Sequence, residues 1–141
     1  MVLEDCINYL LTGAQHKVYL MMKKALEPYG LTPVQYGVLA CIWQNDLHNP
    51  KDIALFLSLE NSTISGILDR MEDKQLIERT IDSNDRRYIQ INLTDKTREM
   101  EKQVLKRVDQ VNQEVMKGFS DEEAEQFRYF LRLMKGDESE V

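Results

Sequence analysis

A chain of 141 residues that is 43% hydrophobic and 30% charged, with six glycines and three prolines, can bury one real core, which argues against a disordered or collagen-like polymer and against two large domains. No stretch approaches the roughly 20 apolar residues of a membrane span, and no basic segment leads into an apolar run at the N-terminus, so a cytoplasmic protein with no membrane partner is expected. The net charge of −6 counts against a broad phosphate-binding surface, but residues 119–141, with seven acids and three bases, hold −4 of it and leave the other 118 residues nearly neutral.

Leu3, Ile7, Leu10, Ala14, Val18, Met21 and Ala25 recur at intervals of three and four, which predicts a helix over 3–28, stopped by Gly30. Thr32-Pro33-Val34-Gln35 reads as a capping box with Pro at the first helical position and opens a helix over 33–45. Asn49-Pro50-Lys51-Asp52 repeats the device before a short helix, 50–57. The connection Ser58-Leu59-Glu60 leads to a helix over 61–74 with an apolar side of Ile64, Ile67, Leu68 and Met71. The period then changes. Ile77 and Ile81 flank one short run, Ile89, Ile91 and Leu93 alternate with Gln90 and Asn92, and the polar segment from Asp82 to Arg87 separates them, which predicts a hairpin over 76–93. Thr94-Asp95 opens a helix over 95–117, and Ser120-Asp121-Glu122-Glu123, after Gly118, opens the last one, 121–135. Gly136 and the acidic residues after it have no pattern and read as a disordered tail, 137–141.

The fold class is therefore mainly α with a small β-hairpin, and the middle of the chain is a helix-turn-helix followed by a wing. The second helix of that motif begins Asn61-Ser62-Thr63-Ile64-Ser65-Gly66. Small polar side chains there can bond to phosphates and base edges without filling a groove, although Ser and Thr also favour any helix start. Its apolar side would pack against Ile53, Ala54 and Leu57. At the wing tip Arg86 and Arg87 are paired cations in an acidic chain, suited to a narrow minor groove, and Asp85 can hold one guanidinium in place. Lys51, Arg70 and Arg79 complete the cations available for DNA.

At this point the sequence resembles the MarR family of bacterial transcriptional regulators over nearly its whole length. Leu31-Thr32-Pro33-Val34-Gln35-Tyr36 is similar to the family's L-T-x-x-Q-x helix start. Ile53-Ala54, Ser62-Thr63-Ile64-Ser65 and Leu68-Asp69-Arg70-Met71-Glu72 are similar to its L-A, S-T-V-T and L-V-D-R-L-E run. Leu76-Ile77-Glu78-Arg79, Asp85-Arg86-Arg87 and Ile91-Asn92-Leu93-Thr94 are similar to its wing, L-I-x-R, D-x-R and V-x-L-T. The resemblance implies one MarR-like domain over 1–141, a winged helix-turn-helix at 31–93, and dimerisation helices at 1–29 and 95–136. It also implies a recognition helix at about 61–74 in the major groove of double-stranded DNA and Arg87 in the minor groove. The chain departs from the pattern twice. Gly66 stands where the family often has Arg, and Gln75 replaces the usual turn glycine, so Gln75 must either take a left-handed conformation or change the helix end.

A homodimer is also suggested by the residues themselves. Met100, Val104, Val108, Val111 and Val115 form a stripe on the helix 95–117, and Phe127, Phe130, Leu131 and Met134 add a patch. Packing within one chain is the competing explanation of both. The resemblance places an effector site between the dimer helices and the winged domain, with His16, Tyr19, Met22, Tyr36, Ala40 and Trp43 as candidate lining residues for a small aromatic or phenolic molecule. The expected activity is that of a ligand-responsive repressor binding a near-palindromic operator. One alternative is a redox-responsive regulator acting through Cys6, although Glu4 and Asp5 beside it are the opposite of the positive setting a reactive thiolate wants. Another is a helical dimeric adaptor without DNA binding. Cys6 and Cys41, 35 residues apart without C-x-x-C spacing, argue against a zinc site or disulfide scaffold. Without a phosphate loop, a G-x-S-x-G or a partnered nucleophile, neither an enzyme nor a cofactor is expected.

Overall fold

Local chemistry sets the helix boundaries. The structure, a computed structural model of the chain, describes residues 1–81, 84 and 88–137. Helix α1, Ile7–Leu26, lies between two 3-10 turns, Leu3–Asp5 and Glu27–Tyr29, the second closed by Gly30 at a φ of 68°. The single helix expected over 3–28 is thus divided, and Pro28, which has no N–H to donate, accounts for the tightened end. Helix α2, Pro33–Asn45, starts at the expected capping box, with the Gln35 N–H donating to Thr32 Oγ1 at 3.2 Å and the Thr32 N–H to Gln35 Oε1 at 3.1 Å. Asn49 Oδ1 accepts from the N–H of Lys51 at 2.8 Å and caps α3, Pro50–Phe56.

Helix α4 spans Asn61–Asp73. It begins and ends at turns built without glycine. Ser58 (φ 58°) and Gln75 (φ 61°) are both left-handed. Each sits in a Schellman turn: Leu59 N–H donates to Ala54 O at 2.8 Å, and Leu76 N–H to Met71 O at 2.9 Å. Of the two outcomes open to Gln75, the left-handed one is found.

Strands β1, Ile77–Ile81, and β2, Ile89–Leu93, pair antiparallel with Ile77 opposite Leu93 and Ile81 opposite Ile89. The turn residues Asp82, Ser83, Asp85, Arg86 and Arg87 lie outside the described residues. Helix α5, Asp95–Val115, is opened by Thr94, whose N–H donates to Thr97 Oγ1 at 3.0 Å. Both threonines also reach back to the end of α4: Thr94 Oγ1 donates to Gln75 O at 2.9 Å, and the fully buried Thr97 Oγ1 lies 3.1 Å from Leu76 O. The base of the hairpin is therefore fastened on the α5 side.

The chain divides into two compact units, Met1–Val108 and Asp109–Val141. In the first, Leu26, Leu39, Ile53, Leu68, Met71, Leu76, Ile77, Ile91 and Val104 form a continuous buried core. The apolar row on α1 reaches that core only at its C-terminal end, for Ala25 is buried while Ile7 is 56% and Leu10 49% exposed. In the second unit α6, Asp121–Lys135, starts at a capping box in which Ser120 N–H donates to Glu123 Oε1 at 2.9 Å, and Phe119 stacks on Phe127 at 5.9 Å. Asp137, expected in the tail, instead belongs to the cap of α6, its N–H donating to Arg132 O at 2.9 Å; residues 138–141 lie outside the described residues.

For the α5 stripe the burial favours the competing explanation, packing within one chain: Val104, Val108 and Val111 are buried, and Met100 and Val115 are half-buried. The regular spacing reports an inward face and does not say which chain covers it. By contrast, Phe127, Phe130 and Met134 of the second patch remain exposed.

A left-handed residue other than glycine is disfavoured by roughly 1–2 kcal/mol, partly offset in a glycine by its greater freedom when unfolded. Gln75→Gly should therefore raise stability by about 0.5–1 kcal/mol. The check is a higher urea midpoint at an unchanged slope; no shift in midpoint would show that the turn carries no such strain.

Candidate nucleic-acid interface

The presented surface is a consequence of the buried one. Ile64, Ile67, Leu68 and Met71 of α4 are in the core with Ile53 and Ala54 of α3, and Leu57 packs against the same cluster. A Cβ at Gly37 would lie 3.2 Å from Leu57 Cδ2, so glycine at that point lets α2 approach the end of α3. With that side fixed, Asn61, Ser62, Thr63 and Ser65 are exposed. Gly66 is half-buried, and a Cβ there would lie 3.6 Å from Arg70 Nη1. The Arg70 guanidinium thus lies back over the position where the family often has its own arginine.

Arg79 does something the sequence did not reveal. Its Nη2 lies 2.6 Å from Asp69 Oδ1 and 3.0 Å from Glu72 Oε1, and its backbone N–H donates to Glu72 Oε2 at 3.2 Å. A residue counted among the phosphate contacts is engaged inside the domain, fastening β1 to α4 in a trio with net charge −1. Arg79 holds the Glu72 carboxyl below its usual range, first through the guanidinium and then through its backbone N–H. The two carboxylates in turn raise Arg79, Glu72 more than Asp69. The one signal available was the pair of acids three residues apart on α4, which does not say whether or by which cation they are met.

Lys51 and Arg70 are exposed. Lys74, by contrast, donates from Nζ to Oε1 of the buried Gln35 at 2.9 Å. Asp85, Arg86 and Arg87, the predicted wing-tip contacts, lie outside the described residues. His48, given no role by the sequence, touches β2 through both backbone and ring.

The candidate effector residues separate into two sets. Met22, Tyr36 and Trp43 are partly buried against the core and Ala40 is half-buried on the same helix as the last two, whereas His16 and Tyr19 are exposed. The Trp43 indole Nε1 is buried without a hydrogen-bond partner among the described residues, a state that is rare for a buried donor. Cys6 is half-buried, and Cys41 is buried, which pushes its thiol up. Among the described residues no group of three His, Cys, Asp or Glu side chains could hold a metal ion, and no helix is long and apolar enough to cross a membrane.

The sequence profile of the MarR family matches residues 31–89. The regulator MgrA of Staphylococcus aureus is 34% identical over 96 residues, 67% of this chain, and the match spans 65% of MgrA's own length. The crystal structure of CouR from Rhodococcus jostii RHA1 bound to p-coumaroyl-CoA is 30% identical, with a TM-score of 0.80 over 95% of this chain and 94% of CouR. The chain belongs to the MarR family of winged helix-turn-helix transcriptional regulators. A Staphylococcus aureus MepR–DNA complex superposes with a TM-score of 0.84 at 28% identity, over 94% of this chain and 98% of MepR. Within this MarR fold Gln75 keeps the left-handed turn without glycine, and Arg70 covers Gly66.

Because the folded Glu72 carboxyl is more acidic than an unfolded one, the trio's contribution to stability is complete above the ordinary carboxylate range and is lost as pH falls through the lowered value. Glu72→Gln should flatten the acid limb of the stability curve, measured by urea unfolding between roughly pH 2 and 7. Superimposable acid limbs for the two proteins would show that Glu72 is not linked to folding.

Proposed function

We propose that this protein is a homodimeric, ligand-responsive repressor that binds a near-palindromic operator in double-stranded DNA. The observation that carries the reading is the first half of α4: Asn61, Ser62, Thr63 and Ser65 are all exposed on a helix whose other side is locked into the core. A polar helix face held at a fixed angle next to a hairpin suits the major groove, and the likeness to a MepR–DNA complex supports that use. In this reading Asn61, Ser62, Thr63, Ser65 and the backbone at Gly66 meet base edges and phosphates. Arg70, lying over Gly66, supplies the cation absent from position 66. Lys51 and Arg86 contact phosphates, Arg87 enters the minor groove, Asp85 orients it, and Arg79 positions the wing.

Two copies are supported by what each unit leaves uncovered. Leu3, Ile7 and Leu10 in the first unit, and Phe130 and Met134 in the second, are large apolar side chains in solvent, the kind of surface that marks an interface. The helices at 1–29 and 95–136 would serve this dimer around the winged segment 31–93. A dimer seated over a promoter excludes polymerase by occupancy, so repression in the cytoplasm is the action that requires no further surface.

An aromatic or phenolic effector is supported by the half-buried Tyr36, Ala40 and Trp43 face of α2, by the unpartnered Trp43 Nε1, and by the p-coumaroyl-CoA held by CouR. An indole N–H facing a ligand oxygen would be satisfied only in the bound state.

Sequencing genomic fragments retained by the purified protein, followed by gel shift, tests the reading directly. Two protected half-sites about one helical turn apart are expected. On such a fragment Arg87→Ala should weaken binding by about tenfold or more and Arg86→Ala by less; equal affinity of wild type and Arg87→Ala would overturn the assignment of Arg87. Sedimentation should give about twice the 16.6 kDa chain mass. A monomer at micromolar concentration would contradict the dimer.

A further inference from the structure

His48 lies in the connection between α2 and α3, two residues after Asp46, whose φ of 52° is left-handed. It engages one residue of the wing twice. The Ile91 N–H donates to the His48 carbonyl oxygen at 2.7 Å, and His48 Nδ1 lies 2.7 Å from the Ile91 carbonyl oxygen. The other ring nitrogen, Nε2, lies 2.7 Å from Asp46 Oδ1. Both ring partners are oxygens with no hydrogen to give. A neutral imidazole carries one N–H and one lone pair, so it would leave one of these contacts as lone pair against lone pair; an imidazolium donates to both. The Asp46 side chain is 93% exposed against 31% for His48, so solvent weakens the carboxylate contact and the bond to Ile91 is the firmer of the two.

We propose that the His48 imidazolium is a proton-dependent clamp on the wing: protonated, its ring bridges the Ile91 carbonyl of β2 and the Asp46 carboxylate, and neutral, it keeps only one of these two ring bonds, while the backbone bond between Ile91 and His48 persists in both states. His48 is a positioning residue in this account, acting on DNA through the hairpin. The consequence for DNA affinity rests on the function proposed above; the clamp itself does not.

The surroundings favour the charged ring. The Ile91 carbonyl raises the His48 pKa most, partial burial opposes it, and the hydrogen bond and charge of Asp46 raise it further. For a histidine raised above its ordinary value near 6.5, the stabilisation is fully present below that value and is lost as pH rises through the higher folded value. Among the described residues the groups facing this region are few. Asp46 stands at the end of α2, Lys51 and Asp52 at the start of α3, and Tyr88 just before β2; Asp52 and Tyr88 line the same groove as His48, together with Thr80 and Ile81 of β1. β2 has no ionisable side chain. Asp82, Asp85, Arg86 and Arg87 lie between the strands, outside the described residues. Carboxyl, phenol and ammonium groups ordinarily titrate well away from the neutral range, which leaves the imidazole as the group that changes charge there.

The opposite side of the hairpin is held without a titratable group in this range. Thr94 and Thr97 secure its base, and Arg79 secures β1 to α4. Deprotonation therefore loosens the ring's bridge between β2 and Asp46 while the backbone bond from Ile91 N–H to the His48 carbonyl oxygen and the buried Ile91 side chain stay in place, a change in how tightly the β2 side is held rather than unfolding.

The test uses the full-length protein. By NMR, the His48 Cε1–H signal and the Ile91 and Asn92 amide signals should titrate with one shared midpoint above the ordinary histidine value. Asp46→Asn removes the carboxylate and, because Asn tolerates the left-handed region, keeps the turn; it should lower that midpoint. On the genomic fragments retained by the protein, wild-type affinity should fall about fivefold on passing through the midpoint, about 1 kcal/mol, while His48→Gln, which cannot titrate, should be flat over the same range. Ile91 and Asn92 amides that do not follow the ring would overturn the clamp. Identical pH profiles for wild type and His48→Gln would overturn its effect on DNA. If no fragment is retained at any pH, the DNA-binding reading fails while the NMR titration still decides the clamp.

Discussion

The burial of one side of α4 is the constraint from which the rest of the molecule follows. Ile64, Ile67, Leu68 and Met71 enter a single core with residues from α2, α3, the hairpin and α5, and each fully buried side chain of this size contributes roughly 1.5–3 kcal/mol. Rotation of α4 about its axis would expose several of them together. The azimuth of the helix is therefore fixed by packing, and the side presenting Asn61, Ser62, Thr63 and Ser65 is fixed with it. The polar face requires no interaction of its own to be held in place.

In the proposed interface a helix with a fixed azimuth still needs its wing at a fixed distance. Three attachments converge on the hairpin from different elements: the Asp69–Arg79–Glu72 trio from α4, the Thr94 and Thr97 hydroxyls at the start of α5, and His48 from the α2–α3 connection. A two-stranded hairpin is marginal alone in water, so these contacts, together with Leu76, Ile77 and Ile91 in the core, determine where it stands. The three attachments differ in what can undo them. Hydroxyl bonds are indifferent to pH, the carboxylate trio weakens only in acid, and the imidazole responds near neutrality.

How much of this could be read from the sequence divides along the range of the interaction. The start of α2 at Thr32, that of α3 at Asn49 and that of α6 at Ser120 were legible because a cap is written within four residues, and the change from helical to alternating spacing marked the hairpin. Partners distant along the chain were not. Nothing in the spacing joins His48 to Ile91 or Arg79 to Asp69, so one residue was passed over and the other was counted as a free cation. The α5 stripe was ambiguous for a related reason: periodicity identifies a buried face, but Val104 is covered within its own chain while Phe130 is not, and both have the same pattern. Gly66 gave the opposite difficulty, since the position without an arginine is overlain by the Arg70 guanidinium from one turn later, a direction that only the fold discloses.

Charge explains why attachment matters so much here. A protein with a net charge of −6 does not gather DNA by a broad positive field, and electrostatic affinity scales with the number of phosphates neutralised. Arg79 is engaged by two acids and Lys74 by Gln35, so in the proposed interface the load falls on Lys51, Arg70 and the two wing-tip arginines. With so few contacts, misplacing one removes a large share of the total, because a cation moved a few ångströms from its phosphate is screened by water and salt. A basic regulator can tolerate a loose wing, since other cations take over. An acidic one has no such reserve, and the precision of its wing becomes part of its affinity. The same scarcity makes a single titrating histidine consequential: it changes both the hold on β2 and, by one unit, the charge beside the hairpin.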